Sequence, residues 1–248
     1  KRSRHSRLMP TTRFPAGAKA GATWAPSDAL LRRFDLSGPR YTSYPTADRF
    51  VEAFGPKQYR QALTQRQAAG AVGGRSPLSV YVHIPFCESV CYYCACNKVI
   101  TRHHERAGEY LDALEHELAL QVEALGRGQP LLQLHFGGGT PTFLSDAELD
   151  RVMRALRGAF TFLEGAEVSI EVDPRTVSRE RLAHLATLGF NRLSFGVQDF
   201  NPLVQKAVHR VQPYEQVAQL MQASREIGFE SINADLIHGL PLQTPDSL

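Results

Sequence analysis

Outside ten consecutive residues the chain has no cysteine: all four lie in Cys87-Glu88-Ser89-Val90-Cys91-Tyr92-Tyr93-Cys94-Ala95-Cys96. That confinement argues against a disulfide frame, which spreads its cysteines along the chain, and no secretory signal is visible. It points to a reducing, cytoplasmic setting. No apolar run approaches the roughly 18 residues of a membrane helix. Strong charge of one sign is lacking too: the formal net charge is +3 over 248 residues, with no basic stripe of the kind that holds nucleic acid. The start lacks acid, with none before Asp28. An Arg- and Ser-rich, acid-poor start has the composition of a transit peptide. Pro10, Pro15, Gly17, Gly21 and Pro26 nevertheless interrupt any long amphipathic helix. Residues 1–36 therefore read as a poorly ordered leader.

What is present suits a folded domain: 43% hydrophobic and 21% charged residues, with length enough for a substantial core. Residues 37–77 read as an arm and linker. Pro39 and Pro45 make Gly38–Pro45 turn-forming and extended, with Tyr41 and Tyr44 available to pack on a main domain. Pro56 opens a helix to about Ala69, and Gly70, Gly73, Gly74 and Pro77 form a linker. From residue 78 strand and helix patterns alternate. Strands are predicted at Leu78–Ile84, Leu131–Phe136, Glu167–Val172, Arg192–Val197 and Ser231–Ile237. Helices are predicted at Glu105–Leu125, Asp146–Phe160, Arg179–Leu188 and Pro213–Ile227. Ser145 and Glu148 form a capping box, and Leu149, Val152, Met153 and Leu156 mark the buried stripe behind it. Ser178 caps the next helix and Gly189 ends it. Such repeats predict a parallel sheet covered by helices.

Each strand has one apolar parity: Val80, Val82, Ile84; Leu132, Leu134, Phe136; Val168, Ile170, Val172; Leu193, Phe195, Val197; Ile232, Ala234, Leu236. The other is polar or small: Tyr81, His83; Gln133, His135; Ser169, Glu171; Ser194, Gly196, Gln198; Asn233, Asp235. An open sheet covered on both faces is apolar on both parities. One apolar and one polar face suits a barrel, with polar groups near the strand C-termini converging on one mouth. Gly137-Gly138-Gly139-Thr140-Pro141 follows the second strand, where missing Cβ atoms either let backbone approach a ligand or simply make a tight turn. Glu171, at the end of the third strand, can accept hydrogen bonds from ribose hydroxyls or form a salt bridge. Gln198, Asp235 and Arg210 share that mouth. His83 and His135 are expected to be hydrogen-bonded core histidines, and His103 and His104 to face water.

The cysteines are spaced C-x3-C-x2-C, with Cys96 two residues beyond Cys94. Thiolates this close repel unless a soft metal takes their charge. A structural zinc site draws paired ligands from separate turns; an iron–sulfur cluster suits one short loop; bland buried cysteines are the third possibility. Three ligands on a cube would leave one iron open to a reactant, whereas Cys96 as a fourth ligand would close it. As a free buried thiol Cys96 would behave as a small apolar group.

This loop after a first strand resembles the radical S-adenosylmethionine (SAM) enzymes. Tyr81-Val82-His83-Ile84-Pro85-Phe86-Cys87, Cys94-Ala95-Cys96-Asn97-Lys98 and Gly38-Pro39-Arg40-Tyr41-Thr42-Ser43-Tyr44-Pro45-Thr46 resemble, within them, the oxygen-independent coproporphyrinogen III oxidase (dehydrogenase) family. The resemblance runs from about Phe34 to Leu248. It implies an α/β fold, a partial (β/α)6-type barrel over 78–248, truncated after about five strands, with an extended N-terminal arm that covers the mouth. Family members are longer and carry a C-terminal domain, so the chain is expected to be a fragment. Ala95 and Phe195 depart slightly from the family pattern. The resemblance implies that Cys87, Cys91 and Cys94 hold a [4Fe–4S] cluster while Cys96 stays free. It implies that Tyr81, Gly138 and Glu171 contact one SAM, and that Tyr93, Gly139, Thr140, Gln198, Arg210 and Asp235 contact a second. The implied reaction is oxidative decarboxylation of two propionates of coproporphyrinogen III to give protoporphyrinogen IX in haem biosynthesis. Reduced cluster cleaves SAM, and the 5′-deoxyadenosyl radical takes a propionate hydrogen. An electron donor for the cluster and a monomeric state are expected, with no nucleic-acid or membrane partner. The competing hypotheses are a haem-binding chaperone on the same barrel and a zinc-stabilised α/β domain.

Overall fold

The computed structural model describes residues 26–35, 46–73 and 76–247. Most of the expected leader and the whole Gly38–Pro45 motif lie outside the described residues. The chain divides into two compact units, Lys1–Phe54 and Gly55–Leu248. In the first, α1 (Asp28–Phe34) occupies a stretch where the sequence pattern predicts no helix. Ser27 caps it, its hydroxyl accepting from the Leu30 amide at 3.3 Å. Asp28 in the first turn and Arg32 and Arg33 in the last complement the helix dipole. A 3-10 turn follows at Ala47–Arg49.

The second unit begins with α2 (Pro56–Gly73). It then runs β1 (Leu78–Ile84), β2 (Phe86–Cys87), β3 (Val99–Ile100), α3 (Arg106–Leu125), β4 (Gln129–Gly138) and α4 (Asp146–Ala159). There follow β5 (Phe160–Val172), α5 (Arg179–Thr187), β6 (Arg192–Gln198), α6 (Pro202–Ala207), α7 (Tyr214–Ile227) and β7 (Ser231–Leu236). Every strand and helix predicted from residue 78 onward is present. Helix α2 outruns its predicted end, carrying Gly70 and Gly73. Each glycine costs a helix about 1 kcal/mol, and Ala68, Ala69 and Ala71 offset that with the highest helix propensity.

Five strands form one sheet in the order β1-β4-β5-β6-β7, each pair parallel. Crossovers between parallel strands are right-handed, and an order that never reverses sends every connecting helix to the same face. The other face is left for a polar interior, as the parity of the strands predicts. On the helix side Ile84, Phe136, Ile170 and Phe195 are fully buried. They pack in one cluster with Leu111 of α3, Leu149 and Met153 of α4, Leu182 and Leu185 of α5, and Val217 of α7. Ser145 and Glu148 make the predicted capping box, and the Ser178 hydroxyl accepts from the Arg181 amide at 3.3 Å.

Two strands depart from the predicted parity. In β4 the register shifts between Leu131 and Gln133 against both neighbours. Leu132 is the residue passed over, so below it the faces exchange: Leu131 is fully buried and Leu132 is 43% exposed. In β7 the apolar parity is covered only at Ile232, which packs against the core, and Leu236 is 60% exposed. This strand is at the sheet edge, with β6 its partner. Leu131→Ala is expected to cost about 2–5 kcal/mol and Leu132→Ala about 0.5 kcal/mol or less. Urea denaturation measures both, and equal losses would contradict the bulge.

Candidate functional site

The cysteine loop leaves the sheet where β1 ends. Pro85 lacks a ladder donor, and the chain pairs again at once through β2 and β3, with Phe86 opposite Val99 and Cys87 opposite Ile100. The amides of Val99 and Thr101 donate to the carbonyls of Pro85 and Cys87, at 2.7 and 2.9 Å, and close the loop at its base. Inside it the Cys94 amide donates to the Cys91 carbonyl at 3.0 Å. The Lys98 ammonium donates to the carbonyls of Cys94 and Cys96, at 2.8 and 3.4 Å. The segment after α6 holds the outer edge. There the Tyr92 amide donates to the Val208 carbonyl at 3.1 Å, His209 Nδ1 lies 2.8 Å from the Val90 carbonyl oxygen, and the rings of Tyr92 and His209 stack at 5.3 Å.

The glycine run at the end of β4 presses on the same loop. The amides of Gly139 and Thr140 donate to the carbonyls of Ile84 and Phe86, each at 2.8 Å. A Cβ on Gly139 would stand 2.7 Å from the carbonyl oxygens of both Pro85 and Phe86. Close approach of two backbones therefore requires glycine there. Phe86 in turn stacks on Phe143 at 5.0 Å and meets the edge of Tyr110 at 5.5 Å.

A cavity of ≈ 770 Å³ opens beside this loop, at the C-terminal ends of the strands. Its volume is within the usual range of cofactor sites, about 300–1,000 Å³. All four cysteines line it, together with Tyr93, Gly138, Gly139, Thr140, Glu171, Arg175, Gln198, Arg210 and Asp235 among others. Tyr81 stands on the inner face of β1, stacked on His135 at 5.7 Å. A Cβ on Gly137 would stand 3.0 Å from both the Tyr81 hydroxyl and Glu171 Oε1, so Tyr81 reaches the same mouth. Its hydroxyl lies 3.1 Å from His83 Nδ1. Gln198 adopts φ 70° at a register shift that ends the β6–β7 pairing. Such backbone strain in a non-glycine residue concentrates at functional sites. Asp235 accepts from the Ser194 hydroxyl at 2.8 Å.

The thiols differ in exposure: Cys91 is buried, Cys87 and Cys94 are half-buried, and Cys96 is exposed. Cys96 is the exposed thiol at the rim of the same cavity, so as a free thiol it would not be the small buried apolar group. Burial pushes the Cys87 thiol up, the Thr140 hydroxyl at 3.4 Å pulls it down, and the neighbouring Cys94 and Cys91 push it up again. A soft cation reverses that balance by taking the thiolate charge. Cys87, Cys91 and Cys94 line one cavity, and thiolates are the donors that iron–sulfur clusters take. The chemistry of the donor set fits a cluster.

Behind Cys91 sits a buried charge group. Asp173 is 7% and Arg210 8% exposed, and the Arg175 guanidinium grips the Asp173 carboxylate, Nη2 to Oδ2 at 2.6 Å. Arg210 Nη1 lies 3.3 Å from the same oxygen and 3.6 Å from Cys91 Sγ. Burial pushes the Asp173 carboxyl up, but hydrogen bonds from Arg175 and the charges of Arg210 and Arg175 outweigh it and hold the group below its ordinary value. Arg175 is a residue that sequence reasoning missed. The available signal was position, since Asp173-Pro174-Arg175 follows β5 at the mouth. His104 was also missed: it is exposed, as expected, yet it stacks on Phe143 at 5.1 Å and borders the cavity. His83 Nε2 lies 2.8 Å from the Asn97 carbonyl oxygen, and His135 Nδ1 lies 2.7 Å from the Ser169 hydroxyl, so both rings are engaged in the structure.

The Radical SAM superfamily matches residues 81–248. The chain is 51% identical over 219 residues to oxygen-independent coproporphyrinogen III oxidase of Escherichia coli K12, covering 88% of this chain and 46% of that protein. It is 51% identical over 220 residues to the enzyme of that name from Pseudomonas aeruginosa, covering 88% and 47%. A solved structure of coproporphyrinogen III oxidase from Escherichia coli, a radical SAM enzyme, matches with a TM-score of 0.79 at 49% identity, covering 89% of this chain and 48% of that one. The chain thus spans about half the length of the curated relatives it matches.

Gly139→Ala is expected to force the β4 end and the cysteine loop apart and to lower iron retained per chain, measured after anaerobic reconstitution. Asp173→Asn leaves two cations without their buried counter-charge and is expected to cost about 3–5 kcal/mol at pH 7. Because the folded Asp173 titrates below its unfolded value of about 3.9, its stabilisation is complete above that value and is lost as pH falls through the folded one. Urea denaturation across that window is expected to show a shallower loss in the variant than in the parent.

Proposed function

Because the chain belongs to the radical SAM superfamily, whose members use a [4Fe–4S] cluster and SAM, we propose that Cys87, Cys91 and Cys94 ligate such a cluster. One observation carries this reading: the thiols share a wall of a cavity whose other walls are strand C-termini. Cys96 lines the same cavity but lies outside the C-x3-C-x2-C spacing of the family, and we leave it out of the ligand set. Glu171 and Gly138 bind the ribose and methionine ends of a SAM at the cluster, with Tyr81 supporting Glu171 through the His135 ring on which it stacks. Tyr93, Gly139, Thr140, Gln198, Arg210 and Asp235 border the space for a second SAM.

The proposed reaction is the oxidative decarboxylation of coproporphyrinogen III to protoporphyrinogen IX, supported by the names of the relatives at 51% identity. Once bound and reduced, the cluster and SAM would supply the hydrogen-abstracting radical, and each of two propionates would lose one hydrogen atom, CO2 and one electron to become a vinyl group. The chain's own residues do the rest. The backbone clamp from Gly139 and Thr140 holds the loop in register. Partners on this reading are the porphyrinogen and one-electron carriers, acting on a monomer in the cytoplasm. No helix among the described residues is long and apolar enough to cross a membrane. The matches do not favour the haem-chaperone alternative.

Anaerobically purified protein is expected to carry about four iron and four sulfide per chain. Cys87→Ala, Cys91→Ala and Cys94→Ala should each lose the brown chromophore, and Cys96→Ala should keep it. Zinc without sulfide would overturn the cluster. Tight haem binding without anaerobic turnover of coproporphyrinogen III would overturn the reaction.

A further inference from the structure

Two guanidinium groups point at one sulfur. Arg210 Nη1 lies 3.6 Å from Cys91 Sγ and Arg175 Nη2 lies 4.0 Å from it, while Cys91 is the buried member of the cysteine loop. Asp173 joins the two cations: Arg175 Nε lies 3.0 Å from Oδ1, and Arg210 Nη1 lies 3.3 Å from Oδ2. The remaining donors of Arg210 are spent on the Gly196 carbonyl, with Nη2 at 2.6 Å and Nε at 3.2 Å. Two positive charges against one negative leave a net positive charge beside Cys91.

The turn that carries Arg175 is held from both sides. Gln216 of α7 donates to the Pro174 carbonyl at 3.0 Å. The Thr176 hydroxyl lies 2.8 Å from that of Thr142, and the Thr176 amide donates to the Asp173 carbonyl at 3.0 Å. With the turn held and its guanidinium bonded to Asp173, Arg175 is a fixed positive charge at the cavity wall.

We propose that Arg175 is a positioning residue that, with Arg210 and Asp173, stabilises charge on the Cys91 side of the cluster and raises its reduction potential. The inference rests on the cluster reading of the preceding subsection. Net charge and hydrogen bonds to the ligand sulfurs set cluster potentials. Reduction adds an electron, so a neighbouring cation favours the reduced state, and the partial burial of this group limits screening. Both arginines line the cavity, but Arg210 is among the residues proposed above to contact SAM and Arg175 is not, so Arg175 is the cleaner probe.

The test compares the parent with Arg175→Gln and Arg175→Lys in the full chain, reconstituted anaerobically with iron and sulfide. The midpoint potential is followed by electron paramagnetic resonance of the reduced cluster. Arg175→Gln is expected to shift the midpoint to more negative potential with iron and sulfide content unchanged, and Arg175→Lys to shift it less. If Arg175→Gln does not hold a cluster, the midpoint of Arg175→Lys decides: a negative shift supports the proposal. A parental midpoint in whichever variant decides, with the cluster complete, overturns it. Loss of the cluster from both variants also overturns it, because Arg175 would then serve retention of the cluster rather than its potential. A parent protein without iron and sulfide would instead overturn the cluster itself.

Discussion

Thiolates crowded into one loop repel each other, so the geometry of the loop has to be imposed from outside it. Here that restraint is a backbone clamp. The amides of Gly139 and Thr140 reach across from β4 to the carbonyls of Ile84 and Phe86, and the missing Cβ of Gly139 is what lets the two chains approach. The short β2–β3 ladder shuts the base, and His209 and Val208 hold the far edge. Hydrogen-bonded backbone on three sides fixes the direction of the sulfurs before any metal arrives, so binding loses less conformational freedom.

The strand order makes the rest of the cavity. A parallel sheet that adds each strand on the same side collects its helices on one face. The bare face can then carry Glu171, Gln198 and Asp235 without burying them against apolar side chains. Where polarity does go deep, it is paired. Asp173 is buried but held by Arg175 and Arg210, the condition under which a buried charge is tolerated. The same ion group brings positive charge to Cys91.

Much of this was legible in local pattern. Alternation with period two located β6 and the C-terminal half of β5, which begins earlier, at Phe160, and the capping box located the start of α4. The spacing of the cysteines carried the metal chemistry. The legible parts share a cause: each depends on residues within a turn or two of one another. The Leu131–Leu132 exchange of faces escaped because a bulge is defined by two neighbouring strands and not by the strand that contains it. Helix α1 escaped because it lies in a stretch whose prolines and glycines dominated the pattern.

By itself the sequence determined the order of the elements, the parity of most strands, and the concentration of soft ligands in one loop. Those follow from short-range sterics, helix and strand periodicity, and sulfur chemistry. The tertiary structure alone decided that Cys91 is the buried thiol while Cys96 is exposed, and that Arg175 and Arg210 converge on Cys91. Cys91 and Arg210 are separated by 119 positions along the chain, and only the packing of β6 beside β5 brings their charges within reach of one sulfur.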